Sequence, residues 1–464
     1  MTRFPVKTLS LLALALALSG CGALISTPYQ QPALNVPDNW QQIAETQAGD
    51  HADWWKAFGD AQLDRLVEQA LEKNNDLGSA LLNIRRARLQ AGLAREAQWP
   101  QPGASFNASR NRDLGGGGST THGYALTGSV SWEADLWNRL GSATDAAELE
   151  ALASEQDYAA TRLSLIGTVA TLYWQIAYLN ERLAASAASV DYARQTLELV
   201  QVQYNAGQAS SLELAEARQS LESQLAAEVD LRQQRVVQRN ALAVLFDGVA
   251  PVLMEEPQSL AQTQLPAVGA GLPASLLARR PDLRAAELRL RSSLKSVDAT
   301  RASYYPDLSL TGTLGYSSTA LGSLLQNPVG ALGAGLTLPF LQYRQMQLDI
   351  DVSKTDYQLA VTSFRQTLYE ALADVENNLA GRRHYAEQEG MRNRALEAAQ
   401  EAERIYRIRY QSGAETLQSW LAAQETRRAA EITRAENRLN QLLNYITLSQ
   451  ALGGDAQTPA LPQG

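Results

Sequence analysis

Leu308-Ser309-Leu310-Thr311-Gly312-Thr313-Leu314-Gly315-Tyr316 alternates along its whole length, and Leu126-Thr127-Gly128-Ser129-Val130-Ser131-Trp132-Glu133 does the same. Successive side chains of a strand point to opposite faces, so each stretch predicts a strand with one apolar and one polar face. Partner strands are expected beside them. The stretch 104–110 alternates weakly, while Leu332, Ala334, Leu336, Leu338 and Phe340 share a face, which places the two pairs at 104–112/124–135 and 307–317/332–341. Each has about the nine to eleven residues of a tilted membrane strand. Four strands do not close a barrel with a lumen, because even side-chain-filled barrels take about eight. Subunits must therefore share one barrel. The joining loops 113–123 and 317–330 suit a solvent-facing end, and Gly115–Gly118 lack the Gly-Lys-Ser/Thr that would make them a phosphate loop.

Between the strand pairs the period changes. Leu165, Val169, Leu172, Ile176, Leu179, Leu183, Ser186, Val190, Ala193, Leu197, Val200 and Tyr204 alternate steps of four and three, a heptad seam. No proline occurs between Pro102 and Pro251, so a helix over 138–206 would be about 100 Å long at 1.5 Å per residue. A second stripe, Ile166, Ala170, Tyr173, Ala177, Ala184 and Ala187, allows neighbours on two sides, as in a closed ring of helices. The helices alone fit an antiparallel coiled-coil stalk equally well; the strand pairs decide against it.

The pattern is written twice. Pro100 and Pro306, Leu82 and Leu288, Arg85 and Arg291, Arg95 and Arg301, Tyr204 and Tyr410, and Gly207 and Gly413 all recur at an offset of 206. Two copies are too few for a solenoid, so they predict one pseudo-symmetric protomer. The first repeat spans 61–247, with a long helix 138–206 and a return helix 210–247. A linker at 248–274 follows. The second repeat spans 275–452, with a long helix 343–412 and a return helix 416–452, ahead of a tail at 453–464.

The 464 residues carry a formal net charge of -9, which opposes a nucleic-acid-binding role, and a single cysteine, which excludes an intramolecular disulfide. Arg3 and Lys7 precede the apolar run 9–18, too short to span a bilayer, so 1–20 reads as a signal peptide. Leu18-Ser19-Gly20-Cys21 resembles a bacterial lipobox, implying a mature chain lipidated at Cys21, and Gly22 favours the outer membrane. The segment 21–60 then leads into the first repeat. Enzyme chemistry finds little material. His51, His122 and His384 form no ligand-spaced pair, Asp349 and Asp351 point to different helix faces, and the four methionines are scattered, so neither a metal nor another cofactor is expected.

Trp54-Trp55 with Phe58, Asp60 and Leu63, the segment Leu277-Ala278-Arg279-Arg280-Pro281-Asp282 and the doubled Tyr-x-x-Gly turns, together with the lipobox and the repeat, resemble TolC-type outer membrane factors of the lipoprotein subfamily over nearly the whole mature chain. The resemblance implies an α+β membrane protein. It implies further a homotrimer with a shared twelve-stranded barrel in the outer membrane of a Gram-negative bacterium, a periplasmic α-helical tunnel and a mixed equatorial domain. Such proteins are passive exit ducts of tripartite efflux systems, opened when a periplasmic adaptor and an inner-membrane transporter engage. The other reading of the residues is a structural lipoprotein tether with coiled-coil arms.

The helix tips are the candidate site. Gly207 and Gly413 suit the positive φ that ends a long helix, with Ser210 or Ser211 and Thr416 as N-caps of the return helices; these five are the candidate adaptor contacts. The resemblance points to Tyr410, Glu213, Tyr204, Glu415, Ser419 and Ala422 as gate candidates. Ser419 and Ala422 stand where acidic residues are common, and Leu421-Ala422-Ala423-Gln424 resembles a Leu-Asp-Ala-Gln pattern without its Asp. The barrel, rather than the lipid, is expected to set membrane insertion. Cys21→Ala behind a non-lipoprotein signal peptide should therefore still give outer-membrane trimers, and recovery only as soluble periplasmic protein would refute this.

Overall fold

The computed structural model describes residues 26–41, 53–115, 118–248, 256–260, 265–266, 268, 271 and 273–454. The expected signal peptide and Cys21 lie outside them. The elements are α1 (Ala61–Lys73), α2 (Asn75–Glu96), β1 (Gln101–Arg112), β2 (Thr120–Ala134), α3 (Arg139–Asn205), α4 (Ser211–Val244), α5 (Pro281–Ala302), β3 (Asp307–Ser318), β4 (Pro328–Thr337), α6 (Tyr343–Gln411) and α7 (Leu417–Ala451), with a single helical turn at Leu276–Arg279. The duplication holds in the elements themselves. Adding 206 to the bounds of α2 and β1 gives those of α5 and β3, and Ser211 at the start of α4 maps onto Leu417 at the start of α7.

Two compact units emerge. The first takes its described residues from 26–34, Leu82–Gln156 and Arg284–Thr367, and it holds the sheet. The strands run in the order β1-β2-β3-β4, each antiparallel to its neighbour. Register pairs Phe106 with Leu126, Leu126 with Tyr316, Gly128 with Leu314, Trp132 with Leu310, Gly312 with Leu332 and Leu308 with Leu336, so one face is apolar from edge to edge. Ser105, Thr127, Ser129, Ser131, Thr311 and Thr313 lie on the other. No described residue covers the apolar face: Phe106, Val130, Leu314 and Leu336 are exposed, and Leu332 is 94% exposed. Below the sheet, Trp137 Nε1 donates to the Pro306 carbonyl at 2.8 Å and its ring meets Tyr305. Arg139 clamps Glu133, with Nε to Oε1 at 3.0 Å.

Strand ends differ from the expected bounds for local reasons. β1 starts three residues earlier than expected, at Gln101, and β2 four earlier, at Thr120, which leaves a shorter connection across the glycines, while β2 stops one residue sooner, at Ala134. β4 begins at Pro328 and stops at Thr337 rather than running 332–341, because Pro339 lacks the N–H a ladder needs and starts a 3-10 turn, Pro339–Leu341. Part of the expected loop 317–330 is a 3-10 turn, Leu321–Gln326.

The second unit takes its described residues from 35–41, 53–81, 157–248, 256–260, 265–266, 268, 271, 273–283 and 368–454. Its core explains the Trp54-Trp55 motif. Trp54, Trp55, Phe58 and Tyr445 pack edge to face, Phe58 meets Trp174 at a tilt, and Tyr445 donates to the Trp54 carbonyl. Asp60 caps α1 by accepting from the Gln62 and Leu63 amides, and also accepts from Tyr173 Oη at 2.7 Å. Arg280, in the second motif, is held by Asp282 and donates to the Ala451 carbonyl. Gly167 admits the Gln450 amide, which a Cβ there would meet at 2.0 Å. The α3 seam is buried at Leu165, Val169, Leu172, Ile176, Leu179, Val190, Ala193 and Val200. Of the second stripe, Ile166, Ala170, Tyr173 and Ala177 are buried but Ala184 and Ala187 are exposed.

This gradient is testable. Leu179→Asp puts an unpaired charge in a fully packed contact and should cost about 3 kcal/mol or more, whereas the same change at half-buried Leu183 should cost much less. Equal thermal shifts for the two variants would contradict the assignment.

Candidate functional site at the helix tips

Both tips belong to the second unit and are built by the same backbone device. In the first, Gly207 takes φ +71°, Gln208 N donates to the Gln203 carbonyl at 2.8 Å, and Gly207 N donates to the Tyr204 carbonyl at 3.0 Å. In the second, Gly413 takes φ +75°, with Ala414 N on the Arg409 carbonyl and Gly413 N on the Tyr410 carbonyl. A residue with a Cβ resists that left-handed backbone, which is why glycine sits at both turns.

The return helices start on caps. Ser210 accepts from the Glu213 amide while Glu213 Oε2 accepts from the Ser210 amide at 2.7 Å, a reciprocal capping box. Thr416 accepts from the Ser419 amide at 3.2 Å, and the two hydroxyls are 3.0 Å apart. Ser211 begins α4 without capping it, and Glu415 forms an ion pair with Arg409 across the second turn at 3.5 Å.

The repeats part company in the side chains. Tyr204 is 42% exposed, but its counterpart Tyr410 is 6% exposed, stacked on Trp420 with centroids 5.2 Å apart, and donates to Gln203 Oε1 on α3 at 2.8 Å. Burial, with a smaller contribution from the Glu213 charge, pushes the Tyr410 hydroxyl above its ordinary value. Within one protomer the partner of Tyr410 is therefore Gln203, and Glu213 is engaged in its own cap. Ser419 is half-buried and Ala422 exposed, so no carboxylate stands at those two positions.

One layer further from the tip lies a set of residues the motifs did not single out. Glu403, on α6, is 8% exposed and accepts from Tyr192 Oη at 2.6 Å and Trp420 Nε1 at 2.9 Å, bringing α3, α6 and α7 together. Burial and this carboxylate push the Tyr192 hydroxyl up to about 12, so it remains a donor throughout the neutral range. Arg427 lies over the Tyr192 ring at 5.8 Å. The repeat held the signal: Glu403 maps onto Leu197 of the heptad seam and Trp420 onto Leu214, so an acid and an indole replace two aliphatic residues in one copy only.

A sheet that exposes a continuous apolar face, together with long paired helices ending in capped turns, is the build of an outer-membrane channel component. The chain belongs to the outer membrane efflux protein family, whose model matches residues 66–247 and 272–454, one segment for each repeat. It is an outer-membrane protein. Pyoverdine export outer membrane protein OpmQ of Pseudomonas aeruginosa is 32% identical over 466 residues, covering 98% of each chain. Toluene efflux pump outer membrane protein TtgC of Pseudomonas putida is 31% identical, covering 96% of this chain and 95% of that one. Among solved structures, CusC aligns with a TM-score of 0.83 at 26% identity over 92% of this chain and 99% of that one. The open state of the MtrE channel of Neisseria gonorrhoeae aligns at 0.80 and 29% identity, over 94% and 99%.

The asymmetry between the tips yields a prediction. Tyr410→Phe removes a buried hydrogen bond and should cost about 1 kcal/mol, whereas Tyr204→Phe should be close to neutral. Thermal unfolding of the two single variants reads this directly, and equal shifts would show that the Gln203 bond carries no stability.

Proposed function

We propose that the chain is the exit duct of a tripartite efflux system. Three copies close a twelve-stranded barrel through which small molecules, handed over by an inner-membrane transporter and a periplasmic adaptor, leave passively. The observation that carries this reading is the sheet. Its apolar face suits lipid, and β1 and β4 are edge strands whose outer sides pair with no strand among the described residues; a hydrocarbon environment tolerates a sheet only when such edges are closed. Edge pairing between copies meets that demand without any helix crossing the bilayer, and no described helix is long and apolar enough to do so.

The duct needs no catalysis, and the cargo is set by the transporter that feeds it. OpmQ and TtgC are named for pyoverdine export and toluene efflux, which supports a small organic cargo without choosing one. Cys21 carries lipid in this reading, as a second tether beside the barrel. The tips form the gate: Tyr410 ties α6 to α3 through Gln203, Glu213 adds its charge nearby, and the Arg409–Glu415 pair stiffens the second turn. Ties of this strength, about 1 to 3 kcal/mol, bias a closed state that partner binding can reverse. Gly207 and Gly413, the N-caps Ser210 and Thr416, and Ser211 offer the adaptor a small-residue surface.

Conductance in planar bilayers tests the reading. The parent should insert as trimers with a low resting conductance, and Tyr410→Phe with Glu213→Gln should raise it and admit otherwise excluded antibiotics at unchanged trimer level. A parent without channel activity would sink the duct; a double variant conducting like the parent would move the closure to other residues.

A further inference from the structure

Above the tips, the second unit forms a half-open cavity of about 980 Å³ walled by α3, α4, α6 and α7. Its origin is visible in the sequence. The seam of α3 gives way after Leu183 to Ala184-Ala185-Ser186-Ala187-Ala188-Ser189, six small residues in a row, and α4 contributes Ser223 and Ala227 to the opposite wall. Small side chains at a helix–helix contact leave space that larger ones would fill. The volume is at the upper end of the range, roughly 300 to 1,000 Å³, in which small-molecule pockets fall.

The lining is amphipathic, and its charges do not cancel locally. Leu231, Leu396 and Ile432 supply apolar surface, while five arginines and four glutamates carry charge. Each glutamate is already engaged. Glu403 accepts from Tyr192 and Trp420, Glu425 pairs with Arg428 at 2.5 Å, Glu431 pairs with Arg427 at 3.3 Å, and Glu181 accepts from Ser259 Oγ and the Leu260 amide, both at 2.9 Å. The guanidinium groups are not all matched. Arg407 and Arg434 have no carboxylate partner among the described residues, and Arg182 meets only the hydroxyl and ring of Tyr178. Arg427 keeps a further donor: its Nε is buried with no hydrogen-bond partner. A buried N–H without an acceptor is costly, and guanidinium forks fit carboxylate and sulfonate oxygens well.

We infer that this cavity is a binding site for an amphipathic organic anion, a carboxylate or sulfonate head on an apolar body of about two fused rings. The head takes the donors of Arg407, Arg427 and Arg434, and the body lies on Leu231, Leu396 and Ile432 against the small-residue wall of α3. A cation of the same shape meets carboxylates that are already hydrogen-bonded or paired and a surplus of positive charge, so the site discriminates by sign. The inference stands apart from the gate, because none of the ties at the two turns lines the cavity.

The test uses the purified full chain in a nonionic detergent, titrated calorimetrically with 2-naphthoate and, in parallel, with 2-naphthylmethylammonium, each corrected with a detergent-only blank. The parent should bind the carboxylate saturably and the ammonium at least about tenfold more weakly. Arg407→Gln with Arg434→Gln removes two charge-assisted donors and should weaken the carboxylate by about tenfold or more, while Arg404→Gln, in an exposed pair with Glu401 outside the cavity, should leave it unchanged. Ala185→Phe should abolish binding by filling space without altering charge, which separates occupancy of the cavity from general electrostatics. Non-saturable heats in the parent, equal affinity for the ammonium, or parental affinity in either the double-arginine or the Ala185→Phe variant would each overturn the inference.

Discussion

A sheet with an uncovered apolar face and two unpaired edges cannot end its hydrogen-bond ladder in hydrocarbon, and the architecture answers that constraint. The order β1-β2-β3-β4 leaves the first and last strands each with one side that no strand among the described residues pairs. Everything polar on the opposite face, from Ser105 to Thr313, is then free to meet water. The helices meet a different demand. Their apolar stripes, concentrated from Leu165 to Leu179 on α3, bury against one another and against the aromatic cluster around Trp54, so the second unit has a core of the ordinary kind.

Periodic features were legible in the sequence. Alternation over 126–133 and 308–316, the heptad seam from Leu165 to Val200 and the 206-residue offset are each repeated many times, so single exceptions do not hide them. Cap residues were legible too, because Ser210 and Thr416 act on groups only three residues away. The ends of β4 were not, since the apolar alternation continues past Thr337 while Pro339 stops the ladder for a backbone reason. Neither was the Tyr410–Gln203 bond or the Glu403 cluster. Contacts between helices more than 200 residues apart depend on the stagger of one rod against another, which no local pattern encodes.

Duplication explains how the same backbone came to serve two side-chain programmes. The turns at Gly207 and Gly413 share their φ and their hydrogen bonds, yet one tyrosine is exposed and the other is locked under Trp420. Backbone geometry strains any side chain at those glycines, whereas the residues around them differ between the copies. At the positions of Leu197 and Leu214 the second copy carries Glu403 and Trp420, and the buried carboxylate of Glu403 is satisfied by two donors from other helices.

Both edge strands carry a proline close to one end, Pro102 in β1 and Pro328 at the first position of β4. A proline offers an acceptor but no donor, so it interrupts the template that an open edge presents to any passing strand. In the proposed trimer, a chain carries an open edge on each flank of its sheet until its siblings arrive. In that proposed assembly, the two prolines shorten the stretch over which a wrong partner could be adopted. Fidelity of assembly is thereby written into the rims of the sheet, separately from the stability of the finished barrel.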